Sequence, residues 1–277
     1  MTKVSEKTYS LSVIIVAMNE ADRIIPCLDS VAPIADEIIV FDSGSQDRTV
    51  EICRKYTDKV FVTPDWPGDG PQKQRALGKA VCQWVLCIDA DEVLTPELRE
   101  EIHAVLISWP VEKGFKLKWL PVIFGHKLYH GRSARAPLRL FQREGAGFST
   151  AVIHGKLTLA PGRIGKLKGR LLHYTHRDFE HYLYKNRLYA WIGAKNRFEA
   201  GKTGFGLSGA AFRALLTFIV VYFLRLGFLD GRVGFLVAVM YSQSSFNKYA
   251  GLWTLRQESA MKQAAAMKKK AGDSGDR

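Results

Sequence analysis

Apolar and polar positions follow two regimes along the chain. Between residues 11 and 106, short apolar runs rich in β-branched residues alternate with stretches whose apolar positions recur at helical spacing. LSVIIVA (11–17), EIIVFD (37–42), KVFVT (59–63) and WVLCID (84–89) read as strands buried on both faces. Between them, residues 20–31 set Ile24, Ile25, Leu28 and Val31 on one helical stripe, and a helix through Thr49–Tyr56 follows the capping candidates Ser45 and Asp47. QKQRALGKAV (72–81) and PELREEIHAVL (96–106) read as two further helices, the last with Pro in its first turn. Strand and helix alternating four times with short connections predict a doubly wound α/β sheet of mostly parallel strands.

The second regime begins after Pro110. Residues 114–175 mix short β-prone pieces (FKLKWL, RLFQR, KLTLA, RLLHYTH) with Gly/Pro turns. Helical periodicity returns in 178–199, 209–226 and 233–250, and the Lys/Ala-rich tail 260–277 is expected to fray in its last turns. No segment offers the roughly 20 uninterrupted apolar residues of a spanning helix. The nearest approach is 214–241, where Arg225, Asp230, Gly231 and Arg232 split two apolar stretches. Basic and aromatic flanks make this a helix pair expected to lie in, or dip into, a bilayer surface. A buried helical hairpin is the alternative.

Composition narrows the class. With 277 residues, 47% hydrophobic and 24% charged, the chain is neither disordered, collagen-like nor a disulfide-stapled miniprotein. Its net charge of +13 is unevenly spread: residues 1–110 sum to −7 and residues 111–277 to +20. The basic half suggests an anionic partner, whether phosphorylated lipid, membrane surface or nucleic acid. Nucleic acid is disfavoured, because it leaves the acidic front half without a role. Tyr182, Tyr184, Tyr189 and Trp191 also recur at the helical spacing of packing residues. Cys27, Cys53, Cys82 and Cys87 form no CxxC pair and read as reduced, structural thiols. With no signal-peptide core near the start, they favour the cytosol.

Ligands of open α/β sheets sit outside the carboxyl ends of the strands. Here the first strand ends at Met18-Asn19-Glu20, the second at Asp42 and the fourth at Asp89-Ala90-Asp91-Glu92. Acids gathered at one edge repel each other unless a cation or a hydrogen-bonding ligand lies between them. The DAD triplet offers hard oxygen ligands suited to Mg²⁺ or Mn²⁺, which bridges phosphate oxygens. VAMNEADR contains no glycine, which disfavours the phosphate loop of a nucleotidylyltransferase.

In LSVIIVAMNEADRI (11–24), EIIVFDSGSQDRTVEI (37–52), GPQKQRALGKA (70–80) and WVLCIDADEVLTPEL (84–98), the chain resembles family 2 glycosyltransferases, inverting enzymes with a GT-A nucleotide-sugar fold. Among them it looks most like the lipopolysaccharide inner-core β-1,4-glucosyltransferases. The resemblance implies a GT-A (Rossmann-like) α/β domain followed by a helical, basic, membrane-associating region. Residues 1–110 would be the nucleotide-sugar half, 111–177 the acceptor half and 178–260 the membrane-associating helices. By the same resemblance, Ala17 and Glu20 would form the lip around base and ribose, and Asp42 would bond the base. Lys73 and Arg75 would lie by the base or diphosphate, Asp89 would face the ribose, and Asp91 would ligate a divalent metal. The His-Glu pair expected some way after the DAD triplet is incomplete in Val152-Ile153-His154-Gly155, so the base is His154, Asp178 or Glu180. Arg135, Arg139 and Arg143 are candidates for phosphates of an anionic glycolipid acceptor. His173, His176 and His181 lack the pattern of a zinc site. The expected activity is hexose transfer from a UDP-sugar to a lipid-linked phosphorylated saccharide, lipopolysaccharide core heptose by preference and polyprenyl phosphate as the alternative. Its expected place is the cytoplasmic face of the bacterial inner membrane, peripheral or re-entrant.

Overall fold

The structure is a computed structural model that describes residues 9–131, 135–150 and 155–273, with side chains described as far as Met267. The chain divides into two compact units, Met1–Val122 with Ala134–Thr175, and Ile123–Ser133 with His176–Arg277.

In the first unit the front regime folds as its pattern predicts. Strands β1 (Leu11–Ala17), β2 (Glu37–Asp42), β3 (Val60–Val62) and β4 (Trp84–Asp89) alternate with helices α1 (Ile24–Val31), α2 (Thr49–Cys53) and α3 (Asp69–Leu77). A short strand β5 (Glu92–Leu94) follows β4 and leads into α4 (Pro96–Ile107). Thr95 caps α4 by accepting from the Leu98 amide at 3.3 Å, with Pro96 at the first helical position. Strand β1 pairs in parallel with β2 and with β4, and β2 with β3. Val13, Ile15, Leu86 and Ile88 are wholly buried against α1 and α4, while Ile14, Ile39, Val85 and Cys87 pack on the other face with α3. The apolar runs are continuous because both faces of these strands are covered.

Parallel pairing stops at β4. The later strands are β6 (Gly114–Ile123), β7 (His126–Lys127), β8 (Leu138–Gln142), β9 (Gly147–Phe148), β10 (Leu157–Thr158) and β11 (Ile164–His176). The main sheet runs β3-β2-β1-β4-β8-β6-β11-β5, and β8 is antiparallel to β4 and to β6. The four strands of the alternating region are parallel to one another as predicted, and the later strands extend the sheet with antiparallel pairs. No helix intervenes after Pro110 to carry the chain back for a parallel return. Strand β5 pairs antiparallel with β11, setting His173 opposite Glu92, and β9 and β10 form a separate ribbon. All four cysteines are free and buried.

The second unit is built on α5 (Phe179–Glu199), α6 (Gly206–Ile219) and α7 (Gly231–Asp273), with a π-helical turn at Val220–Leu224 and a 3-10 turn at Gly227–Asp230. Tyr182, Val237 and Met240 pack with Ile123 and Leu128, and the Tyr182 hydroxyl donates to the Met240 carbonyl at 2.9 Å. Helix α7 runs on well past the stretch 233–250, because Gly251 is followed by Leu, Ala, Gln, Glu, Met and Lys, all good helix formers. Gly206–Leu224 is a 19-residue helical run with mean hydropathy 1.9, long and apolar enough to cross a bilayer by length and composition. That revises the sequence expectation: the apolar run begins before residue 214, and Arg213 is its one charge.

Candidate active site

The carboxyl ends of β1 and β2 are laced together by side chains. Asn19 takes a left-handed φ of 55°, which its short amide tolerates. Its amide nitrogen donates to Ser45 Oγ at 2.8 Å, and its Oδ1 accepts from the Gln46 amide at 2.8 Å. The Glu20 amide reaches Thr49 Oγ1 at 2.8 Å, and the Ala21 amide reaches Asp47 Oδ2 at 3.1 Å. Asp47 also accepts from the Thr49 amide at 3.0 Å and so serves the start of α2, whereas Ser45 bridges Asn19 to Asp42 instead. Asp42 is fully buried and accepts from the Gly44 and Ser45 amides at 3.0 and 2.7 Å and from the Ser45 hydroxyl. In this conformation its carboxylate shapes the loop and presents no oxygen outward. Ala17 is buried beside it, its carbonyl accepting from the Ser43 amide at 2.9 Å.

At the end of β4 the acids meet cations. Asp89 is bonded by Lys73 Nζ at 2.9 Å and by Arg139 Nη2 at 2.6 Å, and Lys73 also reaches Asp69 at 2.9 Å. Arg139 Nη2 is shared with Glu92, whose carboxylate is wholly buried and accepts further bonds from Trp119 Nε1 at 2.6 Å and the Asp89 amide at 2.9 Å. Burial opposes the charge on Asp89, but the Arg139 guanidinium and Lys73 ammonium outweigh it and hold the carboxyl well below its ordinary range. Lys73 is pushed up in turn: burial favours loss of its proton, and Asp89 overrides it.

Asp91 lies in a different environment. Its charged neighbours, His173 Nε2 at 3.7 Å and Arg23 Nη1 at 3.8 Å, are both longer than hydrogen bonds. Burial resists ionisation, yet His173 lowers the Asp91 carboxyl, and Asp91 raises the His173 imidazole against its own burial. The Tyr174 amide donates to the Asp91 carbonyl at 2.9 Å, and Arg23 Nη1 donates to the Tyr174 carbonyl at 2.7 Å, so β11 is tied to this edge. Arg23 also pairs with Glu20, Nε to Oε2 at 2.8 Å. The Trp119 and His173 rings lie 4.7 Å apart, so the tryptophan fixed by Glu92 also braces the histidine. Among the described residues no group of three or more His, Cys, Asp or Glu surrounds one point. The residues that fit a divalent cation are Asp91 and His173, an oxygen and a nitrogen donor whose remaining partners would be phosphate oxygens and water. Holding it would displace the proton that Asp91 favours on His173.

The structure thus brings Glu20, Lys73, Asp89 and Asp91 to one edge and adds Arg23, Glu92, Trp119, Arg139 and His173. Other predicted residues lie elsewhere or serve otherwise. Arg75 is drawn to Asp65 at 2.7 Å on the surface. The three arginines do not share a face. Arg139 is buried in the ion pairs described above, and Arg135 is exposed just before β8. Arg143 binds the Cys82 carbonyl at 3.0 Å, where the register pairs Trp84 with Gln142, at the end of β4 opposite to Asp89. Asp178, in the helical unit, caps α5 by accepting from the His181 amide at 2.7 Å. His154 lies outside the described residues, and its neighbour Gly155 donates to Asp69 Oδ2 at 2.8 Å.

Residues 12–107 match the model of Glycosyl transferase family 2. A glycosyltransferase of Rickettsia typhi is 31% identical over 90% of this chain and 88% of its own length. The chain belongs to glycosyltransferase family 2. The enzyme is also 29% identical, over 80% of its chain and 82% of the relative, to the lipopolysaccharide core biosynthesis glycosyltransferase LpsC of Rhizobium meliloti. Among solved structures, S. aureus TarS 1-349 is 18% identical over 90% of this enzyme and 92% of that chain, with a TM-score of 0.47. The mixed sheet of the first unit is the GT-A-like α/β sheet of a glycosyltransferase.

Proposed function

We propose that the enzyme moves a hexose, glucose by preference, from a UDP-sugar to a lipid-linked phosphorylated saccharide of the lipopolysaccharide-core type. The observation that carries this reading is the contrast between Asp89, clamped by Lys73 and Arg139, and Asp91, whose charged partners stand off at 3.7–3.8 Å beside His173. Asp89 offers a fixed, ionised acceptor for a ribose hydroxyl. Lys73, buried and held charged, supplies positive potential where negative charge grows on the leaving UDP. Asp91 and His173 would hold Mg²⁺ or Mn²⁺, which when bound adds Lewis-acid stabilisation of the diphosphate. Transfer with inversion needs a base to take the acceptor hydroxyl's proton as its oxygen attacks the anomeric carbon. His154 is the residue proposed for it; its neighbour Gly155 is held by Asp69, which also binds Lys73. The acceptor class follows the likeness to LpsC. Exposed Phe212, Leu215, Leu216 and Phe223 along Gly206–Leu224 support docking on a membrane surface, in this reading the cytoplasmic face of the inner membrane.

Calorimetric titration with UDP, UDP-glucose and GDP, with and without Mn²⁺, tests the donor site beside an Asp91→Ala control. UDP binding that needs the metal and disappears in the variant is the expected result. Folded protein that binds no nucleoside diphosphate would overturn the reading. His154→Ala with near-normal turnover would remove His154 as the base.

A further inference from the structure

The helical unit contains a concavity with its own chemistry. A cavity of about 510 Å³ lies where the α5–α6 connection and the start of α6 meet α7, and its lining includes Phe198, Phe205, Arg213, Tyr249, Trp253 and Arg256. That volume is in the range of small-molecule sites. None of the residues lining it is acidic.

Arginines converge on one of its aromatic rings. The guanidinium of Arg213 lies 4.6 Å from the centroid of the Tyr249 ring, that of Arg197 lies 4.9 Å from the same centroid, and Lys248 Nζ lies 5.1 Å from it. Neither Arg197, Arg213 nor Arg256 has a carboxylate partner among the described residues. Two guanidiniums gathered on one ring repel each other, and the ring's negative face offsets only part of that cost. In the strand-edge site the same kind of crowding is relieved by Asp69, Asp89 and Glu92; here no carboxylate among the described residues pairs with Arg197 or Arg213. An anion is the missing element, and arginine's planar fork favours phosphate.

The apolar side of the cavity says what the anion is attached to. Arg213 is the one charge in the apolar run Gly206–Leu224, two residues before its midpoint. Beside it in the same helix Phe212, Leu215 and Leu216 are exposed at 60%, 56% and 43%, and Phe205 at the cavity is 80% exposed. A phosphate at Arg213 would leave an attached hydrocarbon chain free to run along this surface.

We propose that the cavity between α6 and α7 is a binding site for a phosphate-bearing lipid, with Arg213 and Arg256 meeting the phosphate and Phe205, Tyr249 and Trp253 covering the first part of the chain. The site depends on the reading above only in that both bring the enzyme to lipid, and it uses none of the residues of the donor site.

Titration of the full chain with dioctanoyl phosphatidylglycerol below its micelle concentration tests it, with glycerol phosphate, inorganic phosphate and a single-stranded oligonucleotide as parallel arms. Saturable lipid binding is expected, at least about tenfold tighter than either soluble phosphate. Arg213→Gln should weaken it by about tenfold or more, the loss expected for one charge-assisted hydrogen bond. Arg256→Gln is the second variant should the first fail to fold, and Arg187→Gln, on α5 outside the cavity, should change nothing. Equal affinity for inorganic phosphate, tighter binding of the oligonucleotide, or no saturable lipid binding would each overturn the proposal. Metal-dependent UDP binding measured on the same samples separates the two readings. Its loss with lipid binding intact defeats the glycosyl-transfer reading, whereas the reverse defeats this one.

Discussion

The strand-edge site and the helical unit solve opposite problems with the same residue types. At the end of β4, buried acids and bases neutralise one another within about 3 Å: Asp89 with Lys73 and Arg139, and Glu92 with Arg139, while the neutral indole of Trp119 adds a hydrogen bond to Glu92. In the helical unit, arginines gather on Tyr249 without acids while phenylalanines and leucines face outward. The first region is organised before any ligand arrives, which is what differential stabilisation of a developing charge requires. The second is left incomplete in charge and in apolar cover, which is what a surface that meets an external partner requires.

The largest expected effect comes from breaking the first region internally. Arg139→Met leaves Glu92, with no exposed surface, as an uncompensated buried charge, and is expected to cost about 3–5 kcal/mol in urea unfolding. Arg139→Met combined with Glu92→Gln should recover much of that loss. Equal destabilisation in the single and double variants would show that packing, not charge, sets the cost. Next comes Asp91→Asn, expected to lower turnover about 100-fold or more while leaving the unfolding midpoint nearly in place, since its charged partners are distant. A large fall in stability would mean that Asp91 is a structural ion-pair partner.

A smaller effect probes the far edge of the same sheet. Glu37 accepts from Lys59, Ser12 and the Val81 amide. Burial alone would raise its carboxyl, but these partners bring it from 4.5 down to about 2. A carboxyl lowered in the folded state contributes stability above its unfolded value and loses it as pH falls from 4.5 towards 2. With Lys59 nearly half exposed, the contribution is about 1–2 kcal/mol after screening. Glu37→Gln should therefore flatten acid unfolding in that window; an unchanged acid limb would refute the assignment. Smallest is Asp178→Ala, expected to cost about 1 kcal/mol through its lost helix cap with turnover unchanged. A hundredfold fall in turnover at normal stability would instead make Asp178 the base.

The two regions also differ in how far they could be read from the chain. β1, β2 and β4 fall where the apolar runs put them, because strands covered on both faces must be apolar at every position. The acids at their ends were visible for the same reason. His173 was not, because its place beside Asp91 depends on β11 pairing with β5 across about 80 residues, a register no local pattern encodes. Arg139 looked like its neighbours four residues away on either side. Only the extent of β8, Leu138–Gln142, separates it from them by taking Arg139 inside while Arg135 and Arg143 fall beyond opposite ends. Helix α7 extends beyond its apolar pattern, because helical apolar spacing fades after residue 250 while the residues that follow are strong helix formers.

The tie between Arg23 and the Tyr174 carbonyl joins residues 151 positions apart, and it stands beside the contact of Asp91 with His173. On the ribosome, the parallel strands and both acids of the DAD triplet emerge early, but the edge that receives them is finished only when the chain has been made past residue 174. A growing polypeptide therefore passes through a long interval in which the acids of the triplet are made and their later partners are still missing. In that interval Asp91 lacks its imidazole neighbour and Asp89 lacks the guanidinium of Arg139.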